Sequence, residues 1–346
     1  MVTTSATDSQ GMLPATASLP EQVAAAADRA SGLAGLPAFE DVQSVVVLGM
    51  GGSGIAGDVV AAVAQPFMPV PVVVAKSYEL PAFVGEGSLV FAVSFSGDTE
   101  ETVEAATEAA VQGARIVAVS GGGELTRLAE AWKAPIVAVP NDLPQPRAAV
   151  GALAVPPLIA LEDIGLFPGA RQWVKEAIRS LGARRDEIIG GGDFIPQLAR
   201  SIGRTIPLIY GGGSIGAVAA QRWKTQMNEN AKVPAFWNAQ PELCHNEVSG
   251  WGQHGDLTRQ AITLVALRHD FEHPQVMRRF ELVFGMVDEV VADIVQVQAR
   301  GEGQLAQLLD LMMVGDFVSL QLALNEGIDP GPVPALDEIK IALKEG

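Results

Sequence analysis

Glu229 stands between two amides in Asn228-Glu229-Asn230, and Cys244-His245-Asn246-Glu247 adds a second polar cluster shortly after it. The stretch that carries both, QMNENAKVPAFWNAQPELCHNEVSGW, is dense in polar groups although the chain as a whole is 48% hydrophobic. That contrast points to a site rather than to core. A carboxylate and an imidazole are side chains suited to proton transfer. A solvated helix-terminal glutamate and a structural histidine are the plainer readings of the same residues.

A second group lies in SFSGDTEET, where Ser94, Ser96 and Thr99 surround a glycine at the end of a β-branched run. Free N–H groups and the helix dipole make a strand-to-helix junction an anion site, and hydroxyls add donors to it. Capping of the helix needs one hydroxyl. Three suit the oxygens of a phosphate. Gly49, Gly51 and Gly54 also satisfy G-x-G-x-x-G after a strand, but a dinucleotide site needs an acid at the end of the next strand. Ala75-Lys76-Ser77 supplies none before Glu79, so the nicotinamide reading is the weaker one.

The elements that position these groups follow from hydrophobic period. SVVVLGM, PVVVA, LVFAVSFS, RIVAVS and PIVAVP read as five strands between 44 and 140, with helices over 99–112 and 125–131 among them. Such alternation predicts βαβ units and a parallel sheet covered on both faces. From about 148 to 198 there is no strand run, only helical periodicity. Strands return with IPLIY, followed by GGGSIG and a helix to about Ala231, and with AITLVAL. Long amphipathic segments are expected over 274–299 and 304–325, then a last short helix over 335–343. Both halves open with a β-rich run, a glycine turn and a helix, VVVLGMGGSGIAG and IPLIYGGGSIGAV, a weak internal repeat. If the second of these helices is straight, Glu229 lies roughly 22 Å from its glycine turn at ~1.5 Å per residue. One small substrate does not span that gap, so the first-lobe cradle is expected to hold its phosphate, with the site between lobes.

The bulk numbers bound the function. A net charge of −17 argues against nucleic acid and anionic membrane as partners, while local N–H groups can still hold an anionic small molecule. One cysteine allows no internal disulfide, as in a reducing cytoplasm. The first twenty residues carry neither a basic cluster nor an apolar run, and no stretch reads as long and apolar enough to span a bilayer. His254, His269 and His273 fit no metal-ligand spacing, so neither metal nor cofactor is expected.

GMGGSGIAGD, SFSGDTEET and NENAK…CHNE together resemble the sugar isomerase (SIS) family, more narrowly its bifunctional phosphoglucose/phosphomannose isomerases, from about residue 40 onward. The resemblance implies an α/β fold of two SIS lobes, each a parallel sheet flanked by helices, with connecting and C-terminal helices. The expected divisions are a disordered leader over 1–19, a phosphate-binding first lobe over 20–147, a helical connector over 148–200 and a second lobe over 201–346. It implies hexose 6-phosphate as substrate and a homodimer, with Glu229 as catalytic base. His245 then assists ring opening from the neighbouring subunit, Arg147 stabilises an enediolate, and Lys340, with Lys344 as rival, reaches the sugar. Gly52, Ser53, Ser94, Ser96 and Thr99 form the binding set. Gly331 departs from the pattern, standing where relatives are expected to carry threonine. A sugar-phosphate sensor without a base, or an isomerase of another phosphosugar, are the rival readings.

Overall fold

The computed structural model describes residues 7–345, with only the backbone of Lys344 and Glu345. Helices α1 (Met12–Ala17) and α2 (Leu19–Ala30) precede the first sheet. That sheet alternates β1 (Ser44–Leu48), α3 (Gly51–Val63), β2 (Val72–Ala75), β3 (Ser88–Ser94), α4 (Glu100–Val111), β4 (Arg115–Ser120), α5 (Gly123–Trp132) and β5 (Ile136–Ala138). Three helices follow, α6 (Val150–Ile164), α7 (Ala170–Ile189) and α8 (Phe194–Ile202). The second sheet holds β6 (Ile206–Gly212), α9 (Gly213–Gln226), β7 (Phe236–Gln240), α10 (Gly255–Ala261), β8 (Ile262–Arg268), α11 (Pro274–Val287) and β9 (Asp293–Gln298). Helices α12 (Gln304–Asn325) and α13 (Pro334–Glu345) close the chain.

Both sheets are parallel, in the orders β2-β1-β3-β4-β5 and β7-β6-β8-β9. The period of two divides each strand between two cores. Val45 and Val47 of β1 join a central cluster with α2, α3, α6 and α12, while Val46 and Leu48 face α4 and α5. The central cluster runs on to Ile209 and Val265 of the second sheet, so the two sheets share one interior. In the first sheet the order reverses between β1 and β3, which opens a crevice at their C-terminal ends. Gly51–Gly52 and Ser94–Thr99, the two turns singled out in the sequence, both border it.

Four expectations are corrected. Residues 1–6 of the expected disordered leader lie outside the described residues, but 12–17 form α1, and Met12 is fully buried against Ala148 and Leu320. The predicted helix over 274–299 ends at Val287, and DIVQVQ forms β9, where the period changes to two. FWNAQ, absent from the expected strands, forms β7. The expectation of no bilayer-length apolar stretch also falls, since α12 is long and apolar enough by length and composition. It is the central core helix instead, 94% of its apolar window being buried.

Helix α12 carries charge into that core. Asp310 accepts the Arg300 backbone N–H at 2.9 Å and lies 3.4 Å from Arg184 Nε. Burial outweighs these partners and raises its carboxyl to about 6. The folded protein thus holds this proton more tightly than the unfolded chain. The stability linked to it is fully present below about pH 4 and is lost as pH rises through about 6, on the order of 3 kcal/mol at most. Thermal unfolding of wild type and D310N across pH 4 to 7 checks this. The variant is expected to lose that downward slope, and parallel slopes would refute the assignment.

Candidate active site

Arg147 reaches its place through a 3-10 turn, Pro146–Ala148, just past β5. Its side chain is 2% exposed and every nitrogen is engaged. Nε donates to Asn230 Oδ1 at 2.7 Å, and Nη2 donates to the carbonyls of Pro330 and Gly331, both at 2.7 Å. Nη1 lies 3.4 Å from Glu229 Oε2. Burial lowers the guanidinium below its ordinary value and Glu229 opposes that shift, but an arginine stays cationic throughout. The site therefore holds a fixed cation beside a carboxylate that remains one-quarter exposed.

Glu229 owes its direction to a change of helix type. Helix α9 passes into a π-helical turn, Met227–Ala231. Such turns often occur at functional sites because they re-aim side chains. Here Asn230 points inward, donating to Ser319 Oγ at 3.0 Å, while Asn228 donates to the Val233 carbonyl at 2.9 Å. The backbone of Arg147 is held as well. Arg222 Nη2 donates to the Arg147 carbonyl at 2.7 Å, and Arg222 is itself paired with Asp316 at 2.6 and 3.1 Å.

The cradle after β3 is built in two layers. Ser94 is fully buried; its hydroxyl accepts the Gly97 N–H at 3.0 Å and bonds Thr99 Oγ1 at 3.0 Å. Ser53 is also buried and accepts the Phe95 N–H at 3.0 Å, tying the glycine turn after β1 to the cradle. Above them Ser96 is exposed and Thr99 half-buried. Thr99 occupies the N-cap of α4 without any side-chain capping bond, and Ser96 Oγ accepts from Asp98, which precedes the helix. The first N–H groups of α4 are thus left without a side-chain cap, as an anion site requires. Gly97 (φ 79°) has to be glycine, because a Cβ there would lie 1.7 Å from the Gly122 carbonyl oxygen.

Gly52 joins cradle and cation. A Cβ at this position would come within 2.7 Å of the backbone of Pro146 and Arg147. Together with Ile55, Lys76, Gln221, Arg222, Thr225 and Gln226, the groups Gly51, Gly52, Arg147 and Glu229 line a cavity of about 90 Å³ between α3 and α9. A larger cavity of about 470 Å³ lies further along the same two helices, but Ala61, Ala62, Pro66, Ala217 and Val218 dominate its walls. Asp58 also reaches its wall, but neither Glu229 nor Arg147 does.

The other sequence candidates lie elsewhere. His245 is exposed in a 3-10 turn after β7, away from the residues that line this cavity. Lys340 is exposed on α13 and does not line it either; the side chain of Lys344 lies outside the described residues. Sequence reasoning missed Lys76, Arg222 and Asp316. Arg222, Thr225, Gln226 and Glu229 follow helical spacing and share one face, a signal that was available. Lys76 is ion-paired with Asp58, whose carboxyl is raised by burial and lowered in part by the lysine.

The chain is similar to known families and proteins. The bacterial phospho-glucose isomerase C-terminal SIS domain matches residues 195–343, and the SIS domain matches residues 38–137. The cradle lies in the second of these matches and Glu229, His245 and Lys340 in the first; Arg147 falls between them. A bifunctional phosphoglucose/phosphomannose isomerase from Caldicellulosiruptor bescii is 33% identical over 332 residues, 94% of this chain and 97% of that protein. Another from Aquifex aeolicus is 32% identical over 305 residues, 88% and 91% of the two chains. Among solved structures, the C-terminal domain of glucosamine-fructose-6-phosphate aminotransferase from Francisella tularensis matches with a TM-score of 0.68 at 17% identity. The match covers 93% of this chain and 98% of that one, and at such identity it shows a common fold.

Proposed function

The chain belongs to the bifunctional phosphoglucose/phosphomannose isomerases of the SIS fold, and on that premise we propose that it interconverts glucose 6-phosphate and mannose 6-phosphate with fructose 6-phosphate. The observation that carries this reading is the Glu229–Arg147 pair in a cavity walled by Gly51 and Gly52, whose turn Ser53 ties to the hydroxyl-rich loop after β3 through the Phe95 N–H. Ser96, Thr99 and the first N–H groups of α4 hold the phosphate, with Ser53 and Ser94 shaping the loop beneath and Gly52 giving access. In the open-chain aldose Glu229 takes the proton from C2 and returns it to C1, while the O2 hydroxyl proton passes to O1, so that C1 becomes an alcohol and C2 a carbonyl. The charge that develops on the enediolate oxygens falls beside the Arg147 guanidinium, a fixed electrostatic partner. The two aldoses differ at C2, and C2 is planar in the enediolate, so one acid–base group serves both.

A cavity of about 90 Å³ is small beside the ~300–1,000 Å³ usual for ligand sites. A second copy completes it in this reading, bringing its own His245 to assist ring opening. The exposure of His245, and of Leu336, Ile339 and Leu343 on α13, supports such a homodimer. Lys340, on the same helix, is the candidate to approach the sugar once the dimer forms. The reaction needs no metal or cofactor in this scheme. The single free cysteine and the phosphorylated substrate fit the cytoplasm.

A coupled assay for fructose 6-phosphate tests the activity with each aldose supplied in turn; inactivity with both would remove the proposal. Subunit mixing tests the shared site. E229Q and H245A are each expected to be inactive, and equal mixing with subunit exchange is expected to restore about a quarter of wild-type activity, since half the dimers carry one intact site. No recovery from demonstrably exchanged dimers would place His245 in its own chain's site.

A further inference from the structure

The N-terminal segment belongs to neither sheet, yet it contacts both loops that hold Arg147. The Asp8 carboxylate accepts the N–H groups of Met12 at 2.8 Å and Leu13 at 2.9 Å, which fixes the turn into α1. From that turn the Ser9 N–H donates to Asp329 Oδ1 at 3.4 Å, and the same oxygen accepts the Gly331 N–H at 3.0 Å. Gln10 Oε1 accepts from Gln145 Nε2 at 2.8 Å. The Gln10 side chain also fills the space beside Gly331, where a Cβ would lie 2.8–2.9 Å from it. Met12 then buries itself against Ala148 and Leu320. One end of this segment therefore grips the loop 329–331, whose carbonyls receive Arg147 Nη2, and the other grips the turn that carries Arg147 itself.

We propose that residues 8–12 are a clip that positions the Arg147 guanidinium by locking those two loops together. A cation that stabilises developing charge acts through placement, and a shift of even 1 Å costs rate far more than binding. The absence of a side chain at Gly331 has a physical counterpart here, since Gln10 occupies that volume. The inference rests on the reading of Arg147 given above, so R147A is measured alongside. If R147A itself keeps its rate, that reading has failed rather than the clip.

The full-length D8A/Q10A variant is expected to show kcat for fructose 6-phosphate formation lowered at least five-fold, with KM within two-fold of wild type. D8N, whose amide oxygen can still accept one of the two N–H groups, is expected to keep more of the rate than the double variant. A purely structural role would lower Tm and leave kcat per folded molecule unchanged, and that result would overturn the clip. Should the double variant lose its native circular dichroism, Q10A alone decides, because it leaves the Asp8 cap intact. A two-fold or larger fall in kcat at constant KM supports the proposal, and a wild-type kcat refutes it.

Discussion

Glu229→Gln is expected to lower kcat by about 10²–10⁴, the range typical of losing a positioned acid–base group, with little change in KM or Tm. The amide has the size of the acid and can still accept from Arg147 Nη1, so the packing of the π-helical turn stays as it is. What it lacks is a site for the C2 proton. Exchange of the C2 hydrogen with deuterium from solvent should disappear in parallel with turnover. That second readout separates lost chemistry from lost binding. Fructose 6-phosphate formation within ten-fold of wild type would sink the assignment of the base.

Arg147→Lys is expected to be nearly as damaging, by about 10²–10³ in kcat, as for the loss of a donor aimed at developing charge. Lysine keeps the charge but cannot present a planar fork. The native guanidinium donates to Asn230 Oδ1, Pro330 O and Gly331 O while lying beside Glu229. An ammonium cannot satisfy all of these at once, and each buried acceptor left unpaired costs about 1–3 kcal/mol. R147K is thus expected to lower Tm as well as kcat, unlike E229Q. A lysine variant with wild-type kcat would show that net charge alone suffices.

The inner strands of the first lobe, β1, β3 and β4, were legible within a residue or two because they are buried on both faces. SVVVL and SLVFAVS are continuous apolar runs, and the glycine turns between strand and helix are equally local. The strands that escaped notice, FWNAQ of β7 and DIVQVQ of β9, are the two edges of the second sheet. Both are largely open to solvent, so their sequences carry polar residues and offer no continuous run, unlike VVVA and IVA at the edges of the first sheet. α1 was obscured in a similar way. Its flanks are small and polar, and the partners that bury Met12 lie more than a hundred residues away in sequence.

The sequence by itself determined the parts: a parallel α/β architecture, a hydroxyl-rich turn after β3, and Glu229 as a group able to move a proton, with Arg147 marked only through the family resemblance. Local spacing sets these, because helix period, strand burial and turn glycines are read within a few neighbouring residues. Only the tertiary structure decided how the parts meet. The π-helical turn aims Glu229 out and Asn230 in, Asp316 fixes Arg222, which in turn holds the Arg147 carbonyl, and the N-terminal segment closes over the loops around that arginine. None of these contacts has a local signature, since each is a hydrogen bond or packing contact between residues brought together by the common core of both sheets. The same core leaves His245 on the outside, so the structure assembles the acid and the cation in one cavity and keeps the histidine apart from them.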